Sequence, residues 1–92
     1  MNKYESIIIL NEKINEQEKN NVIKKVKSYI NESGKIIEIK DLGLRKLAYD
    51  IKKCKRGYYF EIIFSMKENK IIELERIYRI LDEIIKFIVI KK

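Results

Sequence analysis

The sequence predicts an α+β fold in which four strands and two helices follow one another in the order β-α-β-β-α-β. Four segments are rich in β-branched and aromatic residues, and between them lie two segments whose apolar residues recur at helical spacing. The length agrees, because 92 residues suffice for one two-layer core and little else. We therefore expect a single domain over residues 1–92.

The first strand is predicted at Tyr4–Leu10, where alternate residues share one face. That face would carry Tyr4, Ser6, Ile8 and Leu10. The next segment resembles a capping box, with Asn15 as the N-cap and Glu18 as its partner. Apolar residues then recur at helical spacing up to Gly34, which predicts a helix of about five turns that a left-handed glycine ends.

A long hairpin is predicted in the middle of the chain. Its first strand covers Lys35–Lys52 with an irregularity at Gly43, since a glycine inside a strand usually marks a bulge. A turn at Cys54–Gly57 leads into the second strand, Tyr58–Met66. Cys54 is the only cysteine, which favours a reducing compartment, and we expect its thiol to be exposed to solvent.

The second helix is predicted to begin at Asn69 as a cap and to end before Asp82, with the last strand at Ile84–Ile90. Its buried face would carry Ile71, Leu74, Tyr78 and Leu81. This order of elements is the split βαβ, or ferredoxin-like, arrangement. Both helices then cover one face of a four-stranded antiparallel sheet of strand order 4-1-3-2.

The stretch Arg56–Phe60 resembles the signature with which RRM sheets stack RNA bases. In that signature Tyr58 and Phe60 would face the RNA, and Glu61 would be buried beneath the helices. Because a buried unpaired carboxylate is costly, the opposite alternation is favoured. We therefore predict that four residues pack beneath the helices: Tyr58, Phe60, Ile62 and Phe64.

The composition argues against catalysis and for a polyanionic partner. The chain has no histidine, one cysteine and no phosphate-cradling glycine-rich loop, so triads, zinc sites, cofactors and small-molecule substrates are not expected. No apolar segment reaches the roughly 18–20 residues of a membrane span, and no signal peptide is predicted. The net charge is +7, and residues 35–57 hold eight Lys and Arg against three Asp and Glu.

The segment Gly43–Lys52, GLRKLAYDIK, followed by Gly57–Tyr59, resembles the family of bacterial-type small-subunit ribosomal protein six. Members of that family carry Gly-Leu-Arg-Arg-Leu-Ala-Tyr-Pro-Ile in strand two and Gly-Tyr-Phe at the start of strand three. The opening Lys3–Glu5 and the order of elements also resemble the family. Lys46 and Asp50 depart from its pattern, and the chain ends two residues after the last predicted strand, where many members continue into a flexible tail.

The resemblance implies a non-enzymatic structural protein of a cytoplasmic or organellar ribosome, monomeric when isolated. It would bind the central domain of small-subunit ribosomal RNA together with small-subunit ribosomal protein eighteen. The partner protein would contact the edge strand through Asp41, Leu44, Arg45, Lys46, Leu47 and Tyr49. Alternatively, the charged residues Asp41, Arg45 and Lys46 only guard the edge strand against aggregation. A further alternative is a regulatory or scaffold domain of the same fold that binds a protein or a small anion.

Topology indicates which basic residues could hold RNA phosphates. Five candidates are expected along strands one and four: Lys3, Arg79, Lys86, Lys91 and Lys92. Arg45 and Lys46 would lie on the opposite edge of the sheet. A second basic group is expected at the hairpin tip: Lys52, Lys53, Lys55 and Arg56. Either group could hold phosphates, because such contacts need charge and reach rather than a precise motif.

Overall fold

The structure, a computed structural model, describes all residues from Met1 to Lys92. Its elements are β1 (Asn2–Asn11), α1 (Glu16–Ser33), β2 (Gly34–Ile51), β3 (Cys54–Met66), α2 (Ile71–Ile80) and β4 (Ile84–Lys91). All strand pairs are antiparallel, and the sheet order β2-β3-β1-β4 is the predicted order read from the other edge. The predicted ferredoxin-like fold is therefore confirmed. Neither helix is both long enough and apolar enough to cross a membrane.

The main core lies between the sheet and the two helices. From β3 it takes Phe60, Ile62 and Phe64, with Tyr58 packed against its margin, whereas Glu61 lies on the opposite, open face. The predicted alternation of β3 is therefore confirmed, and the alternation of an RRM is not present. The helices bury Val22, Val26, Ile30, Leu74 and Tyr78 against it.

The predicted inner face of β1 is also confirmed, since its four residues are all buried. Two of them differ in how their polar atoms are satisfied. Ser6 is fully buried, and its hydroxyl lies 3.0 Å from the hydroxyl of Tyr78. Burial raises the pKa of Tyr78 to about 12. Tyr4 stacks on Phe64 with ring centres 5.7 Å apart, but its buried hydroxyl has no hydrogen-bond partner.

The helix ends agree with the sequence in one place and differ in two. The capping box of α1 is present: Asn15 Oδ1 accepts from Glu18 N–H at 2.8 Å, and Asn15 N–H donates to the Glu18 carboxylate at 3.0 Å. Gly34 is not left-handed; it is extended, and a Cβ there would overlap the carbonyl oxygen of Ser65 on β3. Asn69 is not a cap, because it lies in a 3-10 turn and α2 begins at Ile71 without a side-chain cap.

The turn of the β2–β3 hairpin lies earlier than predicted. It consists of Lys52 and Lys53, whose φ angles of 49° and 65° suit the tight primed turns that match the twist of a hairpin. Cys54 is therefore the first residue of β3, and it is only 1% exposed rather than solvent-exposed as expected. A side chain at the start of a strand points to one face of the sheet, and here that face is covered.

The cover comes from the hairpin itself. Between Lys46 and Ile51, β2 leaves its regular register with β3, so that four residues of β2 lie opposite Lys55 alone. This irregularity places Leu47 on the open face, where it forms a second small core with Ile9, Cys54 and Ile85. A further irregularity follows Asp41, whose carboxylate accepts from Gly43 N–H at 2.9 Å, and Gly43 has the positive φ of 80° expected of a bulge.

Candidate nucleic-acid interface

Two of the predicted RNA-binding residues meet at a groove beside the start of β4. Arg79 lies in the last turn of α2, and Lys86 lies on β4 a few residues later. The groove has a volume of about 290 Å³, and Lys52 of the hairpin turn contributes a third cation to its lining. We call this feature the β4 groove. The sequence instead predicts Lys52 in a separate group at the far end of the sheet.

Aromatic side chains orient the cations of the β4 groove. Lys86 Nζ donates to the hydroxyl of Tyr49 at 3.0 Å and lies 5.2 Å from the centre of its ring, and this hydroxyl contact raises the pKa of Lys86. The Arg79 guanidinium lies 5.7 Å from the ring centre of Phe87. None of the ion pairs in the structure involves Arg79, Lys86 or Lys52, so no carboxylate neutralises their charges.

The other three predicted RNA-binding residues form a separate group. Lys92 N–H donates to the carbonyl oxygen of Lys3 at 2.8 Å, which confirms that the chain ends meet. Lys91 lies five positions after Lys86 on β4, which is about 17 Å in a strand. Lys91 and Lys92 also have acidic partners, Glu68 at 3.8 Å and Glu5 at 2.9 Å. The five candidates therefore lie along β1 and β4 in two separate groups, and their role in RNA binding stays a prediction.

Three of the predicted partner-binding residues lie on the outer edge of β2. Asp41, Leu44 and Arg45 are exposed, and Leu44 leaves 43% of its surface to solvent. Arg45 Nε donates to the carbonyl oxygen of Leu42 at 3.3 Å, and its guanidinium lies 5.9 Å from the ring centre of Tyr59. The Arg45 side chain therefore lies towards the open face of the sheet.

The other three partner-binding candidates also lie on β2, but their side chains have different surroundings. Leu47 is 5% exposed, because it fills the small core on the open face. Lys46 lies directly across the hairpin from Arg56. Tyr49 is 62% exposed but crosses the open face to reach Lys86. All six candidates belong to β2, the edge strand opposite β4 as expected, but Leu47 and Tyr49 lie over the open face of the sheet. Their role in partner binding stays a prediction.

Sequence reasoning missed Glu12 and Lys13, which lie in the turn after β1. The Glu12 carboxylate accepts from the backbone N–H groups of Lys55 and Arg56 at 3.0 Å and 3.1 Å, and it pairs with the Arg56 guanidinium at 3.4 Å. These bonds, chiefly those from the backbone N–H groups, lower the pKa of Glu12. No local signal marks it, because the contact joins residues more than 40 positions apart.

The middle of the open face carries two neighbouring carboxyl groups, on Glu5 and Glu61. A hydrogen bond between them raises the pKa of Glu61 and lowers that of Glu5. Lys40 and Lys92 flank the pair, with Lys40 Nζ 3.7 Å from Glu61 and Lys92 Nζ 2.9 Å from Glu5. The four side chains form a charged row across the sheet.

The geometry can be compared with known proteins. The family model described as Ribosomal protein S6 matches residues 3–91 of the chain. The chain belongs to this family. The small ribosomal subunit protein bS6 of Nitratiruptor sp. is 40% identical over 99% of the chain, which covers 72% of that protein. The corresponding protein of Helicobacter acinonychis is 44% identical over 99% of the chain, which covers 65% of its length.

A solved structure agrees with this assignment. The crystal structure of the 30S ribosomal protein S6 from Thermotoga maritima matches with a TM-score of 0.94 and 36% identity, covering 99% of this chain and 87% of that one. The resemblance seen in the sequence is therefore confirmed. The chain is a small-subunit ribosomal protein and not an enzyme, and these findings favour the ribosomal interpretation over a regulatory domain of the same fold.

Proposed function

We propose that this ribosomal protein acts as one domain that binds the central domain of small-subunit ribosomal RNA together with small-subunit ribosomal protein eighteen. The β4 groove carries the RNA part of the proposal. Arg79, Lys86 and Lys52 converge there without acidic partners, and aromatic contacts hold the first two in place. Preoriented cations lose little side-chain entropy when they contact a phosphate, which favours this groove over the paired lysines at the chain ends.

The edge of β2 supports the protein-binding part. An edge strand offers unpaired backbone groups to a second chain, and charged side chains restrict which chain can approach. Here the apolar Ile37 and Leu44 are 52% and 43% exposed, on either side of Asp41. The bond between Tyr49 and Lys86 joins this segment to the β4 groove. A partner on the edge and RNA in the groove would therefore be neighbours, which accounts for joint binding.

The RNA contact is tested with the double variant Arg79→Gln/Lys86→Gln. Removal of each phosphate contact should flatten the dependence of log affinity on log salt by about 0.7–0.9, the range for single-stranded and duplex nucleic acid. The measurement is binding to the RNA central domain, with the partner protein present, over a series of salt concentrations. The matched control is Arg76→Gln/Lys25→Gln, which also removes one Arg and one Lys but from the two helices.

The groove is not the RNA contact if the two double variants lose affinity and salt dependence equally. That result would mean that only the total charge matters. Binding that is absent even for the unmodified protein with its partner would overturn the RNA-binding proposal itself.

The protein contact is tested without RNA, using Leu44→Glu/Arg45→Glu on the edge of β2. We expect affinity for protein eighteen to fall by at least about tenfold, because an apolar anchor is removed and a charge is reversed. The matched control is Ile72→Glu/Arg76→Glu, which makes the same changes at exposed positions of α2. Titration calorimetry of each variant measures the affinity, and equal affinities for the two variants would refute docking at this edge.

A further inference from the structure

We propose that the tip of the β2–β3 hairpin is a second binding site for RNA phosphates, and that Glu12 holds it in shape. The inference rests on the RNA-binding function proposed above and adds a separate contact to it. The site is a concavity of about 530 Å³, called here the tip basin. Its lining consists of Glu12 and five cations: Lys13, Lys46, Lys53, Lys55 and Arg56.

The lining of the tip basin selects the kind of ligand. None of its side chains is hydrophobic. Protein interfaces take most of their binding energy from a few aromatic, arginine or apolar anchors in well-packed pockets, which this basin does not offer. Phosphate groups need only charged donors within reach. A basin with five cations and no hydrophobic residue in its lining therefore suits an RNA backbone better than a folded protein.

Four of the five basin cations have no acidic partner within the fold. Lys46 lies directly opposite Arg56, and like charges in facing positions destabilise a strand pair. The turn places two lysines, Lys52 and Lys53, at positive φ, where asparagine and glycine are the favourable residues. Among the basin cations only Arg56 has an acidic partner, which is Glu12. The four lysines without an acidic partner therefore leave their charge available to an external anion.

Glu12 acts on the basin by positioning its wall. Its carboxylate accepts both the Lys55 and the Arg56 backbone N–H groups, and these groups belong to the start of β3. The contact ties the hairpin to the turn after β1, so that Lys55 and Arg56 project beside Lys13. Glu12 is therefore a positioning residue, although it also neutralises part of the Arg56 charge.

The tip basin adjoins the β4 groove. Lys52 lines the groove, and the next residue, Lys53, lines the basin. The hairpin turn therefore lies between two cationic depressions. One RNA backbone that passes over the turn could contact both sites in succession.

Chemical acetylation of lysine in assembled small subunits tests the basin directly. Lys53 and Lys55 are exposed in the free protein and should react there, but they should be protected in the subunit and become reactive again after ribonuclease treatment. Lys25, on the exposed face of α1, is the internal control, and mass spectrometry reads each site. Equal reactivity of Lys53 and Lys55 in the free and assembled states would overturn the inference, as would protection that survives ribonuclease, which would indicate a protein cover.

Salt titrations separate this inference from the proposed function. The basin variant Lys53→Gln/Lys55→Gln should flatten the dependence of log RNA affinity on log salt by up to about 1.4–1.8, because it removes two phosphate-binding cations. The control Lys25→Gln/Lys27→Gln removes the same charge from α1. If the basin variant matches this control while the groove variant loses affinity, the basin proposal fails and the RNA-binding function stands. If the unmodified protein does not bind RNA, both fail.

Replacement of Glu12 tests its positioning role through the sign of the effect. If Glu12 were only a counter-ion, Glu12→Ala would raise the local positive charge and strengthen RNA binding. Positioning predicts weaker binding and a flatter salt dependence, with partial rescue in Glu12→Gln, whose amide oxygen can still accept from a backbone N–H. An unfolding curve for each variant sets a titration temperature at which that variant is folded. Stronger RNA binding by Glu12→Ala would refute the positioning role.

Discussion

The two faces of the sheet are built by different means. The helix-covered face contributes to a cluster of 13 buried residues drawn from every helix and from three strands. The open face has a cluster of only four buried hydrophobic residues, Ile9, Leu47, Cys54 and Ile85, and the hairpin that contributes two of them also covers them. The first core follows from regular alternation, whereas the second exists only because β2 leaves its register and bends back.

The close packing on the open face depends on one glycine. Gly57 lies so near β1 that a Cβ at this position would overlap the Cγ2 of Ile9. The Arg-Gly-Tyr stretch that resembles an RNA-stacking signature therefore has a packing reason for its glycine. The tyrosine after it, Tyr58, packs towards the helices rather than towards a base.

Truncation in each core should give the largest effect and separate the two faces. Phe64→Ala leaves a cavity among fully buried residues and should lower the free energy of unfolding by about 3–5 kcal/mol. Leu47→Ala affects a small cluster whose cover can relax, so we expect about 2 kcal/mol. Urea denaturation measures both. If Leu47→Ala costs as much as Phe64→Ala, the open-face core is as rigid as the main core, and the comparison fails.

Removal of two tyrosine hydroxyls should give smaller effects of different sign. Tyr78→Phe leaves the buried Ser6 hydroxyl without its partner and should cost about 1–3 kcal/mol. Tyr4→Phe removes a buried hydroxyl that has no partner, so it should be neutral or stabilise by up to about 1 kcal/mol. Denaturation of the two single variants under identical conditions checks this, and a substantial loss of stability in Tyr4→Phe would show that its hydroxyl is hydrogen-bonded after all.

The smallest effect should come from the open-face carboxyl pair and should depend on pH. Because the pKa of Glu61 is raised in the folded state, stability rises as pH falls through that pKa, and the gain is complete below the ordinary value of 4.5. Glu61→Gln is neutral at all pH values, so it should be more stable than the unmodified protein at pH 7. This advantage should shrink as the pH approaches 4.5.

The matched control is Glu32→Gln, on the exposed surface of α1, whose stability relative to the unmodified protein should not change over the same range. Melting temperatures at intervals between pH 7 and 4.5 provide the comparison. An advantage of Glu61→Gln that is constant with pH would contradict the shared hydrogen bond.

Local sequence signals predicted the parts of this protein that depend on neighbouring residues. The capping box at Asn15, the alternation around Glu61 and the bulge at Gly43 were all predictable, because each follows from spacing within a few residues. The prediction for Gly34 was wrong, because its role is to make room for Ser65 on β3 rather than to end the helix. No local pattern distinguishes these two uses of glycine.

The sequence by itself determined the order of the elements, the buried faces of β1 and β3 and the family of the chain, since periodicity and motif are properties of contiguous residues. Only the tertiary structure decided which charges meet. Tyr49 contacts Lys86 across the open face, and Lys52 lines the same groove as Arg79. Glu12 contacts the backbone of the hairpin near its tip. These contacts depend on how far an irregular hairpin bends, and that bend results from packing between residues distant in the chain.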